Sequence, residues 1–430
     1  MSVTATYHQA LAKNILREHF GLKATVTSRG YGRSNHVFEV KITNLTTTPV
    51  VYSGAPQPGT ETIPAGTARL IFRFFRPFDT FNESARAENK VASMELARRA
   101  LSHVGMSGLV PRVHGWNRGT DEPSNPGWVV EEYIEGTVLA DDFSTLPFDK
   151  QKVILAQLAK IVKAFQDYKL PDTVLGFGGC AFDSDGQIIS GPPSFQCKGG
   201  PFQSIAELYK GILGWQLEAT DRHENIGGWR DSRLRGRLEA FVAQGVDSRL
   251  SQLTSDRPTF VHGGLELIKT LYDPQTLRLT AVIDYGLSQI AVPLVEYLSS
   301  FGSISGMLGA PYDPETEELR QAILTGFPGS LPDSKPMRQG PAMFGSGRDI
   351  QWGLAKAWDE ELKQVDALRP CTIDGAETLA QMHWFIQDIA PWHLFDPDIL
   401  KIRSLEQIQE ARKEAVEGLE KYLKAWGFSD

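Results

Sequence analysis

The chain of 430 residues carries 44 Lys and Arg against 52 Asp and Glu, a net charge of −8, so it offers no basic field for wrapping nucleic acid. With 41% hydrophobic and 22% charged residues it has a soluble globular composition, long enough for one large two-lobed domain or two ordinary ones. Three cysteines (Cys180, Cys197 and Cys371) without C-x-x-C spacing argue for a reducing compartment, and no window approaching ~18 apolar residues exists to span a membrane.

In chain order, residues 5–20 place apolar positions at helical spacing around Lys13, Arg17 and Glu18, which predicts an amphipathic helix without the apolar core of a secretory signal. A cytoplasmic location is therefore expected. Residues 24–43 predict two strands joined by "SRGYGRSN", and the Pro/Gly/Thr-rich residues 46–67 an exposed hairpin or loop. The strand "ARLIFRFF" follows, then a helix over 85–101 with Val91, Met94 and Leu101 on one apolar side. The strand "GWVVEEYIEG", residues 127–136, closes a first block expected to form a small lobe over 1–135.

Beyond Gly136 the pattern turns helical. A strong helix is predicted over 148–168, a glycine-rich hairpin over 175–193 with Asp185-Gly186 at its turn, and helices near 203–220 and 231–244. Residues 260–298 read as loop, strand, the turn "DPQT" and strand again. From Asp313 to the end the chain reads as mainly helical, closing in a charged amphipathic helix over 404–425. No internal repeat is present.

Three stretches could carry chemistry. In "SRGYGRSNHVFEV", Gly30 and Gly32 would let a backbone fold over phosphates, with Ser34 and Asn35 adding donors, although a plain hairpin would use the same glycines. Arg73 is a lone cation in an apolar strand and should face a cleft or an acid, or else lie on a surface edge. If the acid comes from the helix at 85–101, only Glu88 qualifies, because its neighbour Lys90 is a cation. In "VHGGLELIKTLYDPQTLRLTAVIDYG", His262 precedes a tight Gly263-Gly264 loop and an apolar strand delivers Asp284 to its end. There Asp284 would meet a metal, a cation or backbone donors, or simply cap a turn. The nine histidines lack metal-ligand spacing.

Taken together, "RGYGRSNHVFEV", "ENKVASMELARRAL", "VPRVHGW", "GWVVEEYIEG", "KLPDTVLGFGG", "ELYKGILGWQL" and "DPQTLRLTAVIDYGLSQIAVPLVEYLSSFG" resemble the aminoglycoside phosphotransferase and choline-kinase-like superfamily, most closely its fungal branch. The resemblance implies an α+β, bilobal, protein-kinase-like fold: a small, mostly antiparallel β lobe and a large helical lobe over 136–430, with an acceptor-pocket region over 313–430. It further implies that Gly30 to Ser34 cover nucleotide phosphates and that Arg73 replaces a phosphate-contacting lysine. Glu131, Tyr133 and Ile134 would lie in the hinge against adenine, Asp284 would bind metal, His262 would organise the catalytic loop and Glu296 would brace it.

Three positions depart from that pattern. Gly264 stands for the catalytic aspartate, Lys269 for the metal-binding asparagine, and Lys90 for the helix glutamate that pairs the strand cation. Each removes a separate part of phosphoryl-transfer machinery. The expectation is therefore a cleft that has lost phosphoryl transfer, needs neither ATP nor Mg²⁺, and binds or transforms a small, partly apolar metabolite, as in secondary metabolism. His262, Glu266, Lys269 and Asp284 would serve as its acids and bases, with Lys269 paired to Asp284. The large lobe's Trp352, Trp358, Trp384, Phe385, Trp392, His393 and Phe395 suit such a ligand. The alternative is an ATP- and Mg²⁺-dependent kinase for a small hydroxylated molecule, with Glu266, the remaining loop acid, as base. No protein partner is legible.

Overall fold

The computed structural model describes residues 3–31, 34–76, 80–120, 125–230, 233–251, 253, 257–300, 304, 317–332 and 350–429. Helix α1 (Val3–Phe20) precedes strands β1 (Ala24–Tyr31), β2 (Asn35–Ile42) and β3 (Arg69–Phe75), helix α2 (Glu83–Ser102), and strands β4 (Val113–Asn117) and β5 (Trp128–Glu132). The strands form one antiparallel sheet in the order β1-β2-β3-β5-β4. Strand alternation sorts its side chains. Leu70, Phe72 and Phe74 of β3 and Trp128 and Val130 of β5 join Leu16, Val26 and Phe38 in a core shared with α1. Each such apolar side chain contributes about 1.5–3 kcal/mol when fully buried, so this face holds the sheet together. The opposite face is left to Arg73 and Glu131, which meet α2 there.

The stretch 46–67 is a mostly exposed loop, pinned where Val50 and Ile63 exchange two main-chain hydrogen bonds of 2.8 and 2.9 Å and Ile63 is buried. Helix α2 departs from the one-sided pattern expected of it. Of its 20 residues 14 are buried, including Arg86, Glu88, Asn89 and Lys90, so the helix is enclosed all round. Enclosure on that scale needs polar partners, and Asn89 supplies some of them. Its Nδ2 donates to Ser194 Oγ (3.1 Å) and the Ser288 carbonyl (3.0 Å), while its Oδ1 accepts from the Cys180 amide at 2.6 Å. The helix is thereby tied to three separate segments of the large lobe.

The large lobe begins with β6 (Thr137–Val138), α3 (Leu139–Asp142) and α4 (Phe148–Asp167), followed by the hairpin β7 (Gly179–Phe182) and β8 (Ile188–Gly191) and by α5 (Ile205–Arg222). The helix expected near 231–244 is α6 (Leu234–Ala240), which widens into a π turn over 241–245 before α7 (Val246–Leu250). Strand β9 (Thr259–Val261) pairs with β12 (Gln289–Ala291), and β10 (Thr270–Asp273) with β11 (Arg278–Val282). The "DPQT" turn forms as read, with the Asp273 carboxylate accepting from the Gln275 amide and Thr276 Oγ1, both at 2.8 Å.

Helices α8 (Pro293–Ser300), α9 (Glu317–Thr325), α10 (Trp352–Gln364), α11 (Ala376–Ile389), α12 (Pro397–Leu400) and α13 (Leu405–Ala425) complete the lobe. A Ser404-Gln407 capping box opens the last. The chain is thus α+β, with a small antiparallel-sheet lobe and a large helical one. The cysteines are free, and no helix among the described residues is long and apolar enough to cross a membrane.

Candidate functional site

The loop after β9 is held from beneath by one buried acid. Glu296, at the start of α8, accepts through Oε2 from the amides of His262 and Gly263, and through Oε1 from the Leu265 amide (3.4 Å) and Ser300 Oγ (2.8 Å). Burial pushes its carboxyl above the ordinary range, with these donors opposing. Glycine is required at 263: φ is +74°, and a Cβ there would collide with the Leu287 carbonyl.

His262 is fully enclosed. Its Nε2 donates to the Ile283 carbonyl at 3.2 Å, which leaves Nδ1 as the bare nitrogen. Burial, reinforced by Lys269, lowers its pKa to about 3. The imidazole is therefore a neutral spacer linking the loop to the Asp284 segment, not a proton carrier near neutrality.

Gly264 and Lys269 turn out to be one feature. A Cβ built at Gly264 would lie 2.7 Å from Lys269 Nζ, so the ammonium fills the space into which a side chain at 264 would project. The turn Leu267–Lys269 brings it there. Its charge partner is Glu266, with Nζ to Oε2 at 3.6 Å and side-chain exposures of 14% and 34%. The expected direct pairing of Lys269 with Asp284 does not form. Asp284 pairs instead with Arg73 (Nη1 to Oδ1, 3.8 Å). Burial alone would raise the Asp284 carboxyl, but Arg73, Lys90 and Lys269 together drive it well below the usual carboxylate range.

Arg73 meets an acid, though not the one expected. Its Nε lies 3.5 Å from Glu131 Oε1, and Lys90 Nζ lies 3.1 Å from the same oxygen. Glu88 turns away, pairing with Arg118 at 2.7 Å and accepting from the Phe182 amide. The geometry follows from strand register. Ile71 stands opposite Glu131 and Arg73 opposite Val129, so Arg73 and Glu131 are diagonal neighbours on the face against α2. All three side chains are more than nine-tenths buried. Burial would weaken the Arg73 charge, but Glu131 and Asp284 outweigh it; for Lys90 burial prevails and its pKa falls.

The hinge residues therefore divide. Glu131 points inward to the cations, whereas Tyr133 carries the Arg69 guanidinium 4.1 Å over its ring. Among the described residues no main-chain group of Tyr133 or Ile134 takes part in a hydrogen bond. In the glycine turn, Gly30 has open space where a Cβ would stand, and Gly32 lies outside the described residues.

Two further residues, unforeseen from sequence, fasten this region. Arg86, buried in α2, donates to the Ser34 carbonyl (2.6 Å), the Arg76 carbonyl (2.9 Å) and Asn35 Oδ1 (3.2 Å), under the Phe81 ring at 3.8 Å. At the cleft rim, Gln216 Oε1 accepts from the Ala390 amide and its Nε2 reaches Gln196, whose amide donates to the Thr80 carbonyl. For Arg86 the run "RAENK", four polar residues in five inside a helix, was the available signal: at ~100° per residue they cannot all face water on one side.

Most of the expected aromatic lining belongs to the core. Trp352, Trp358, Trp384 and Phe385 are buried, Phe385 against Phe241 and Tyr422, and Phe395 stacks on His223 at 4.2 Å. Trp392 and His393 are half-buried.

A family model described as "Phosphotransferase enzyme family" matches residues 60–329, beginning after the glycine turn. Among solved structures, a Ralstonia eutropha protein provisionally assigned as an aminoglycoside phosphotransferase is 15% identical, with TM-score 0.47, over 97% of this chain and 98% of its own. The streptomycin–ATP ternary complex of APH(2″)-IIa is 12% identical, with TM-score 0.47, over 97% and 99%. The GDP and kanamycin complex of APH(2″)-IIIa is 13% identical, with TM-score 0.42, over 95% and 98%. No curated protein matches the chain.

Proposed function

This chain belongs to the phosphotransferase enzyme family, and we propose that within it the cleft has given up metal-dependent phosphoryl transfer and instead binds, or transforms by acid–base chemistry, a small and partly apolar metabolite. The observation that carries this reading is the Lys269 ammonium standing against Gly264. Glycine offers no proton acceptor, and a positioned general base is worth roughly 10²- to 10⁴-fold in rate.

The residues present do not fit a divalent ion. Asp284, the residue expected to hold the metal, is already engaged by Arg73. A single ammonium ~4 Å from Mg²⁺ opposes it by about 8 kcal/mol at an effective dielectric of about 20. Glu266 and Lys269 are the titratable pair near enough to the surface to act on a bound metabolite. His262 is withdrawn from the acid–base role expected of it.

A second reading, an ATP- and Mg²⁺-dependent O-phosphotransferase for a small hydroxylated molecule, draws on one observation: the main-chain groups of Tyr133 and Ile134 are free to pair a planar base. Thermal unfolding with ATP, with and without Mg²⁺, separates the two. Under the first reading Mg²⁺ adds no stabilisation and no ADP accumulates; magnesium-dependent stabilisation with ADP release would establish the second.

A further inference from the structure

We infer that Glu131 is a specificity-determining residue: its carboxylate occupies, from within the chain, two buried cations that an external anion would otherwise have to neutralise, so that the cleft accepts ligands without a phosphate chain and rejects nucleoside polyphosphates. The inference rests on the reading of the cleft proposed above and adds the ligand's charge class to it.

Arg73 of β3 and Lys90 of α2 are like charges from different elements, enclosed together with side-chain exposures of 8% and 1%. Such a pair is stable only around an anion. Glu131 Oε1 supplies it, 3.1 Å from Lys90 Nζ and 3.5 Å from Arg73 Nε. The carboxylate thus cancels the charge of both cations from one oxygen at ion-pair distance. Asp284 closes the other side of Arg73 at 3.8 Å, so these two cations face two carboxylates and sum to zero with them, while Lys269, which also acts on Asp284, is answered by Glu266. A phosphate chain would bring several negative charges to a group with no positive surplus, beside two carboxylates. Neutralising position 131 leaves two cations against one carboxylate, a surplus of one in a buried, low-dielectric setting.

The test uses the full chain with inorganic triphosphate and with ATP in EDTA, read by calorimetry. Wild type is expected to show no saturable binding, and Glu131→Gln to bind triphosphate with a Kd at least about tenfold below the highest concentration at which wild type stays unbound. Glu131→Asp, which keeps the charge and withdraws it by one methylene, should gain less; it also serves should Glu131→Gln fail to fold. Pairing Glu131→Gln with Lys90→Met restores neutrality and should abolish the gain, which a merely structural role for Glu131 does not predict. Metal-free triphosphate binding by wild type, or by neither Glu131 variant, would overturn the inference. Turnover of Mg²⁺-ATP by wild type would instead overturn the proposed function.

Discussion

The two sides of the cleft handle charge in opposite ways. On the small-lobe side, Arg73, Lys90 and Glu131 are sealed among strands and helix at 3.1 to 3.5 Å, whereas on the large-lobe side Lys269 and Glu266 meet at 3.6 Å on a loop that water reaches. The first arrangement is compulsory: removing one member leaves an unbalanced charge in a buried setting. The second is optional, since exposed pairs contribute only about 0–1 kcal/mol.

The contrast is easiest to break at its extreme. Glu131→Leu should destabilise the fold by about 3–5 kcal/mol in denaturant unfolding, because two buried cations lose their anion. Should it prove neutral, the small-lobe cluster is not the sealed unit described. Glu296→Ala comes next, at about 2–4 kcal/mol, since it strips acceptors from three buried loop amides. Slower amide exchange at Leu265 in that variant would contradict the bracing role.

Acid should act on the enclosed histidines before it reaches the clusters. His262 titrates at about 3 and His36, buried against His8 and Ser28, at about 4, both below the ordinary 6.5. The unfolded chain therefore binds protons first, so stability falls as pH drops below about 6.5 and keeps falling towards 4 and 3. Asp388 works the other way. Burial raises its carboxyl to about 7, so its contribution favours the fold at low pH and is lost as pH rises from about 4 to 7. A melting temperature that stayed flat between pH 7 and 4, followed by calorimetry, would mean the rings are hydrated. The smallest effect is reserved for Lys269→Ala, within about 1 kcal/mol of wild type. A loss as large as that of Glu131→Leu would erase the distinction between the two sides.

How much of this could be read from the chain depended on the range of the interaction. The helix at 148–168 appears as Phe148–Asp167 and the last helix as Leu405–Ala425, because amphipathic spacing and a capping box act within a few residues. Arg73's need for an acid was legible too, from a lone charge in an apolar strand. Its partner was not. Glu131 is 58 residues away, and only the pairing of β3 with β5, which sets Ile71 opposite Glu131, brings them together. Glu88, nearer in sequence, lies on a side of α2 that reaches Arg118 instead. Likewise Lys269 was expected at Asp284, but the turn Leu267–Lys269 directs its ammonium over Gly264.

By itself, then, the order of residues determined the elements, the two-lobed α+β plan and the presence of glycine and lysine at 264 and 269, since these depend on local spacing and identity. Which opposite charges meet was decided by tertiary structure alone. Coulomb attraction in a buried site is strong only over a few ångströms, and those last ångströms are set by strand register and by the packing of α2, which no local pattern encodes.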